Sequence, residues 1–440
     1  MHRSAILVAV SLLVAPSQLV LAQDHPHGQA ELGTVSFPIS CNAEAQKRMN
    51  TAVAMLHSFW FPEARKRFES VAEADPGCGI AHWGVALTHF GNLVAGGSSA
   101  QGQAAGLESA QKAVSTGARN ERDRGYINAV STLFRDHDKV ANRVRLRAYG
   151  EAMSAIVEKF PADTEARIFH AVTMVANASP TDLTFAQQKK AAGILTSLYR
   201  QQPKHPGLAH YIIHAFDSPP LAQFALDAAR QYAAIAPAAP HALHMPSHTF
   251  TRLGYWDESI RTNRRSADLE PSLGAKAHPL DYLVYAYLQQ GRDDAARLVI
   301  DELGGSTSGD YLAGAVGSYN AVAMPARFAL ERDDWQSASG LKVGAGPPSV
   351  TAVTHFARAL GAARSSDTKA ALREIAELDK IVVALNAQNE AYWAHVVGAQ
   401  RVSVSAWVAH HEGRHEDALR LALEAADTEE KVEKHPVTPG

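Results

Sequence analysis

The sequence predicts an all-α protein in which helical hairpins stack into a curved superhelix, or solenoid. Apolar residues recur along the chain at the spacing of amphipathic helices, and glycine or acidic turns divide these helices into pairs. The 440 residues also exceed what one compact core usually serves. Few segments alternate β-branched and polar residues, so we expect strands to be nearly absent.

The clearest hairpin turns at Gly291, which ends one helix, and Asp293 begins the next helix as its cap. The same pattern of a turn followed by a new helix recurs around Gly254, Asp334 and Gly413. Gly254 and Gly291 are 37 residues apart, which is close to the period of roughly 34 residues that tetratricopeptide repeats have.

Residues 43–435 therefore resemble the tetratricopeptide class, with about seven or eight imperfect pairs of helices. A single pair cannot bury its apolar stripe, so the resemblance implies a solenoid with a concave face lined by the first helix of each pair. An earlier second helix covers residues 61–68 and ends before Pro76. The Gly-, Ser- and Ala-rich stretch 94–125 is either a loop or a poorly matching pair, and residues 436–440 form a C-terminal tail.

Four short motifs make a closer resemblance. They are Leu-His-Ser-Phe at 56–59, Asp-Pro-Gly-Cys at 75–78, Ala-His-Trp-Gly at 81–84 and His-Met-Pro-Ser-His at 244–248. Together they resemble a family of exported bacterial tetratricopeptide-like proteins. The resemblance supports the fold and implies no particular activity.

The N-terminus predicts export. Residues 1–22 have the pattern of a signal peptide, in which Arg3 precedes an apolar run too short to span a bilayer and Ala22 ends an acceptable cleavage site. Residues 23–42 are polar, and we expect a flexible segment there. No later stretch is long and apolar enough for a membrane span. These features predict a periplasmic or secreted protein.

The chain has two cysteines, Cys41 and Cys78. In an exported protein, two cysteines most simply form one disulfide. That bond would tie the N-terminal segment to the start of the third predicted helix. Two buried thiols, or a soft-metal pair, are the alternatives.

The charge excludes one class of partner. The net charge is −3 and no long basic block occurs, whereas phosphate binding needs clustered Lys and Arg. We therefore expect no nucleic acid. The predicted partner is instead a small-molecule or peptide ligand in the concave groove, or another protein.

Histidines carry the strongest sign of chemistry. His210 and His214 have i, i+4 spacing, as do His244 and His248, so each pair lies on one helical face. Neutral imidazole is the commonest side-chain ligand of transition metals. These four residues are the predicted metal ligands, with His82 as a further member.

Two nearby residues are the predicted catalytic groups. His241 and Asp217 are candidates for proton carriers, or for residues that orient the ligands. Pro246 would lie inside a regular first helix, so the helix is either kinked there or begins late. A donor set of imidazoles with at most one carboxylate suits copper or zinc, and the carboxylate leaves iron possible.

The alternative for the histidine clusters is a structural network of polar side chains. Other helical histidines, taken singly, are expected to be partly buried with ordinary hydrogen-bond partners; these are His57, His170, His278, His355 and His395. Two functions follow from the sequence. One is a groove-bound metal site, which could activate water or dioxygen if it keeps an open position. The other is a non-catalytic scaffold that binds a peptide or protein.

Overall fold

The computed structural model describes residues 31–97, 99–303 and 315–431. Within these ranges the regular elements are helices and no strand occurs, as the sequence predicts. No helix in the described ranges combines the length and the hydropathy that a membrane span requires. The predicted signal peptide (1–22) and C-terminal tail (436–440) lie outside the described residues.

Polar caps begin several helices of the first half. The side chain of Asn42 accepts the N–H of Ala45 at the start of the first helix, and Asn120 and Asp163 cap later helices in the same way. The stretch 94–125, which the sequence left open, is largely helical. The helices are α1 (Ala43–His57), α2 (Phe61–Ala74), α3 (Gly79–Phe90), α4 (Ala100–Thr116), α5 (Glu121–Phe134), α6 (Asn142–Lys159), α7 (Thr164–Ala176), α8 (Ala186–Gln201) and α9 (Pro206–Ala215).

Glycines end several helices of the second half. Gly254, Gly291 and Gly413 have φ values of 75°, 67° and 79°, a left-handed conformation that suits glycine, so the predicted turns are confirmed. The helices are α10 (Leu226–Ile235), α11 (Pro240–His244), α12 (Pro246–Leu253), α13 (Trp256–Leu269), α14 (Leu273–Gln289), α15 (Asp293–Glu302), α16 (Ala315–Glu331), α17 (Trp335–Ser339), α18 (Pro348–Arg364), α19 (Thr368–Ala387), α20 (Ala391–His411) and α21 (His415–Glu429).

Consecutive helices pack against each other, and so do the first helices of successive hairpins, such as α14, α16, α18 and α20. This is the stacking of a helical solenoid. The buried apolar residues form three clusters along the chain, the largest in the first half, one around α14 and one over α18–α20. The fold is thus a tetratricopeptide-like array of hairpins.

The first half curves until its ends meet. α1 packs against α9, although many residues separate them in sequence. Gly207 at the start of α9 permits this approach, because a Cβ there would lie 2.7 Å from the ring of His57 at the end of α1. The contact brings His57 next to the histidines of α9.

The segment 31–42 is ordered, so the expectation of a flexible segment is wrong for these residues. Leu32 and Phe37 are fully buried, and the Phe37 ring stacks on Trp83 and meets Tyr126 edge-on. The backbone N–H of Thr34 donates to the carbonyl of Lys204. This apolar packing holds the segment between α3, α5 and the loop before α9.

The predicted disulfide between Cys41 and Cys78 is present in the structure. Cys78 immediately precedes α3, so the bond ties the N-terminal segment to the start of the third helix as expected. Asp75 reinforces this junction because its carboxylate accepts the N–H of Asn42 and two hydrogen bonds from Arg119.

Candidate metal centre

The helices that carry the clustered histidines begin at equivalent prolines. α9 begins at Pro206 and α11 at Pro240, and proline is favoured at the first helical position because its φ is already helical. His210 and His244 each follow the proline by four residues. The same turn of successive hairpins therefore carries a histidine.

Pro246 interrupts the second of these helices. α11 ends at His244 and α12 begins at Pro246, while Met245 between them keeps helical angles (φ −54°, ψ −34°). The sequence predicted either a kink at Pro246 or a helix that begins there. Both predictions are partly confirmed, because a new helix begins at Pro246 while the backbone between the two helices stays helical. His248 remains one turn beyond His244.

Three histidines form a first trio: His210 and His214 of α9 and His241 of α11. One nitrogen from each can be chosen so that all three lie within 4.8 Å of one another. The Nε2 atoms of His210 and His241 are 3.1 Å apart. The Nε2 atom of His214 is buried and has no hydrogen-bond partner, which is costly for a polar atom unless something binds it.

A second trio consists of His244, His248 and His278, the last from α14. Its nitrogens meet the same 4.8 Å limit, and the Nε2 atoms of His244 and His248 are 2.9 Å apart. In each trio two rings are buried and one, His241 or His278, is half-buried. Each trio therefore has one ring at the accessible edge.

Oxygen acceptors beside two rings of the second trio, His244 and His248, fix which nitrogen carries the proton. His244 Nδ1 lies 2.7 Å from Oδ1 of Asn263, and His248 Nδ1 lies 2.8 Å from Oδ2 of Asp217. Each Nδ1–H therefore donates to an oxygen, and when both rings are neutral each Nε2 keeps its lone pair. Two lone pairs thus face each other at 2.9 Å, and a cation between them would remove the repulsion.

The first trio is oriented by backbone. His210 Nδ1 lies 2.6 Å from the carbonyl oxygen of His57 and donates to it. The Nε2 lone pair of His210 consequently points to His241. An N–H donated to a carbonyl or carboxylate is the usual support of a metal-binding histidine.

Burial keeps these imidazoles neutral. Burial first, and then His248, lowers the pKa of His214 to about 3. Burial likewise lowers the pKa of His210, His241 and His244 well below the usual value, and neighbouring histidines lower it further. Because metals bind neutral imidazole, these four histidines are in the binding form at pH 7.

Two aromatic rings cover the trios. The Phe59 ring stacks on His241 at a centroid distance of 5.1 Å and meets His210 edge-on at 4.4 Å. Phe59 has a left-handed φ of 52°, which is strained for a bulky residue. Over the second trio, Tyr282 stacks on His248 at 5.0 Å.

A third polar group lies beneath the first trio. Glu165 accepts hydrogen bonds from His57 Nε2 at 2.8 Å and His205 Nε2 at 2.9 Å, and all three side chains are buried. Burial raises the pKa of Glu165, but His205 and His57 together outweigh it, so the pKa is lowered and the carboxylate is ionised. The group could hold an ion, although its hydrogen bonds already satisfy the carboxylate.

The structure divides the four predicted ligands between the trios. His210 and His214 join His241, while His244 and His248 join His278.

His82 belongs to none of the possible metal groups in the described ranges. It is buried on α3, and its charged neighbour is Lys112 of α4. Its side chain therefore lies near α4 and not among the histidines of the trios.

The two predicted catalytic residues lie within or beside the trios, and their catalytic role stays a prediction. His241 is a possible ligand of the first trio. Asp217 accepts hydrogen bonds from His248 and, at 2.9 Å, from Arg252 Nε, so it orients the His248 ring. This orienting position is the second role that the sequence offered for Asp217.

Sequence reasoning missed His278, although a signal was there. His210, His244 and His278 follow one another at intervals of 34 residues, the period of the repeat. Position 282, which continues the series from His214 and His248, is tyrosine. No comparable spacing marks the group of His57, Glu165 and His205.

The comparisons with known proteins concern the fold. No family model matches the sequence, and no curated protein matches it. Among solved structures, yeast Tom70 covers 87% of this chain and 84% of its own, at 10% identity and a TM-score of 0.46. Cut9 in the APC/C hetero-tetramer Cut9–Hcn1 has 13% identity, coverages of 89% and 78%, and a TM-score of 0.35. The tetratricopeptide domain of P58(IPK) has 11% identity, coverages of 77% and 99%, and a TM-score of 0.20. At this distance the similarities carry no argument about function.

Proposed function

We propose that this protein binds transition-metal ions in the two histidine trios. The observation that carries the proposal is the pair of Nε2 atoms of His244 and His248, 2.9 Å apart, whose Nδ1 protons are both engaged elsewhere. Protonating His244 would also relieve this contact, but burial opposes that by lowering the pKa of His244. A metal ion satisfies both nitrogens without adding a proton.

The donor set favours copper or zinc. An ion about 2.0–2.1 Å from each nitrogen would see the two Nε2 atoms at an angle of about 90°, which suits tetragonal Cu(II) better than tetrahedral zinc. The only nearby carboxylate of the predicted set, Asp217, donates no ligand atom to either trio. This reduces the argument for iron.

Three protein ligands per ion leave a position for water, dioxygen or a substrate, as catalytic metal sites do. We propose that such a site acts on a small molecule or peptide that reaches the half-buried rings of His241 and His278. Export to a periplasm or the cell exterior is part of this proposal, and the disulfide fits such an oxidising compartment.

Elemental analysis tests the proposal. Protein purified without a polyhistidine tag is loaded with Cu(II) or Zn(II), freed of excess metal by gel filtration and analysed. We expect wild type to retain metal and His214→Ala/His248→Ala to lose it, because each trio then keeps two ligands. Circular dichroism establishes that the variant is folded.

His82→Ala is the matched control, because His82 is also a buried helical histidine but lies outside the trios. We expect this variant to retain the wild-type metal content. Metal loss in His82→Ala equal to that of the double variant would contradict the assignment. So would a wild-type protein that retains no metal.

Asp217→Asn is expected to weaken metal binding by about 10- to 100-fold, the usual cost of losing an orienting partner. The amide can still accept from His248 Nδ1, but it no longer carries the charge that pairs with Arg252. Competition with a chelator of known affinity measures the change. An unchanged affinity would show that Asp217 serves packing alone.

A second candidate function is a scaffold for a peptide or protein partner. A cavity of about 820 Å³ at the C-terminal end is lined by aromatic side chains, including Phe356, Trp393 and Trp407. In the first half, by contrast, the chain's own segment 31–42 packs against α3 and α5. If wild type binds no metal, the scaffold is the remaining candidate function. Trp393→Ala should then weaken the binding of a partner in this cavity.

A further inference from the structure

The two trios lie side by side. The helical run α11–α12 serves both, since His241 belongs to the first trio and His244 to the second. The centroids of these two rings are 5.9 Å apart. His214 and His248, again one from each trio, have ring centroids 6.5 Å apart.

The six ligands of the two trios supply no negative charge to balance two metal ions. All six ligands are imidazoles, which carry no negative charge, so two divalent ions would bring a large positive charge into a mostly buried site. The carboxylate of Asp217 lies nearby, but it is already hydrogen-bonded to His248 and ion-paired with Arg252. Because an uncompensated buried charge is costly, the ions need an anion that the trios do not supply.

The space for that anion is small. Phe59 packs against all three rings of the first trio, and Tyr282 packs against all three rings of the second. Of the six rings in the two trios, only those of His241 and His278 are half-buried, and the other four are buried. A ligand of one to three heavy atoms fits this setting better than a bulky anion.

We propose that the two trios form one dinuclear centre, in which two metal ions share a small bridging oxygen ligand such as hydroxide. This inference rests on the proposed function and goes beyond it, because it couples the ions instead of leaving two independent sites. Two-metal sites with ions about 3.5–4 Å apart stabilise a shared oxygen in this way. The bridge would supply one negative charge directly between the two ions, where the imidazoles supply none.

Copper spectroscopy tests the coupling. The protein is loaded with Cu(II), its copper content is measured, and its electron paramagnetic resonance signal is integrated. We expect two coppers per chain and a loss of most of the signal, because a single-atom bridge couples the two unpaired spins. Azide, a small bridging anion, should bind once per pair of coppers.

Variants separate the possible results. His278→Ala and His241→Ala each disrupt one trio, so each should bind one copper with a full signal, and His82→Ala should behave as wild type. Two coppers with a full signal in wild type would overturn the dinuclear centre while leaving metal binding intact. One copper in wild type would overturn it as well, and no copper would overturn the proposed function itself. Using a variant in each trio keeps the test decisive if one of them does not fold.

Discussion

Glu165→Ala should lower the free energy of unfolding by about 3–5 kcal/mol, the range for removing one partner of a buried ion pair or network. Glu165 accepts hydrogen bonds from His57 and His205, and all three residues are almost fully buried. Its removal leaves two buried N–H groups without an acceptor and opens a cavity. Denaturant unfolding of the variant and the wild type measures the difference.

Glu424→Ala is the control, because Glu424 is exposed on α21 and surface changes are usually within about 0.5 kcal/mol. Glu165→Gln should lie between the two, since the amide keeps one acceptor oxygen. The backbone of His57 orients His210, so metal affinity of the first trio should fall in Glu165→Ala and that of the second should not. Equal stability of the alanine variants at positions 165 and 424 would refute the network's structural role.

Replacing both cysteines by serine should cost about 4 kcal/mol, the loop-entropy value for a bond between residues 37 apart in sequence. The bond closes a loop that contains α1 and α2. The segment before it is also held by Asp123, which accepts hydrogen bonds from Ser40, so we expect the segment to loosen rather than to detach.

The measurement is denaturant unfolding with and without a reductant. Wild type should lose stability when reduced, and Cys41→Ser/Cys78→Ser should be insensitive to the reductant. Hydrogen exchange should rise first at residues 34–42, whose backbone the bond anchors. A reduced wild type as stable as the oxidised form would contradict this expectation.

The hairpins could be predicted from the sequence because their signals are local. Gly254, Gly291 and Gly413 adopt the left-handed conformation that glycine favours, and Pro246 breaks its helix because it lacks an N–H. Segment 31–42 could not be predicted in this way. Its few apolar residues, such as Leu32 and Phe37, find their partners on distant helices.

The candidate site was predictable within one helix but not between helices. The spacing of His210 and His214 places both on one face, whereas their third member, His241, follows from how α9 packs near α11. The 34-residue interval that leads to His278 was present in the sequence. Glu165 and His57 are 108 residues apart, and only the closing of α1 onto α9 brings them together.

Each trio draws its ligands from two successive hairpins, since α9 and α11 supply the first and the α11–α12 run and α14 supply the second. An ion bound in either trio would therefore cross-link neighbouring repeats. In a linear array, stability is approximately a sum of repeat terms and nearest-neighbour terms, so each ion would strengthen one particular junction. Removal of metal should therefore weaken these two junctions and leave the other junctions of the array unchanged.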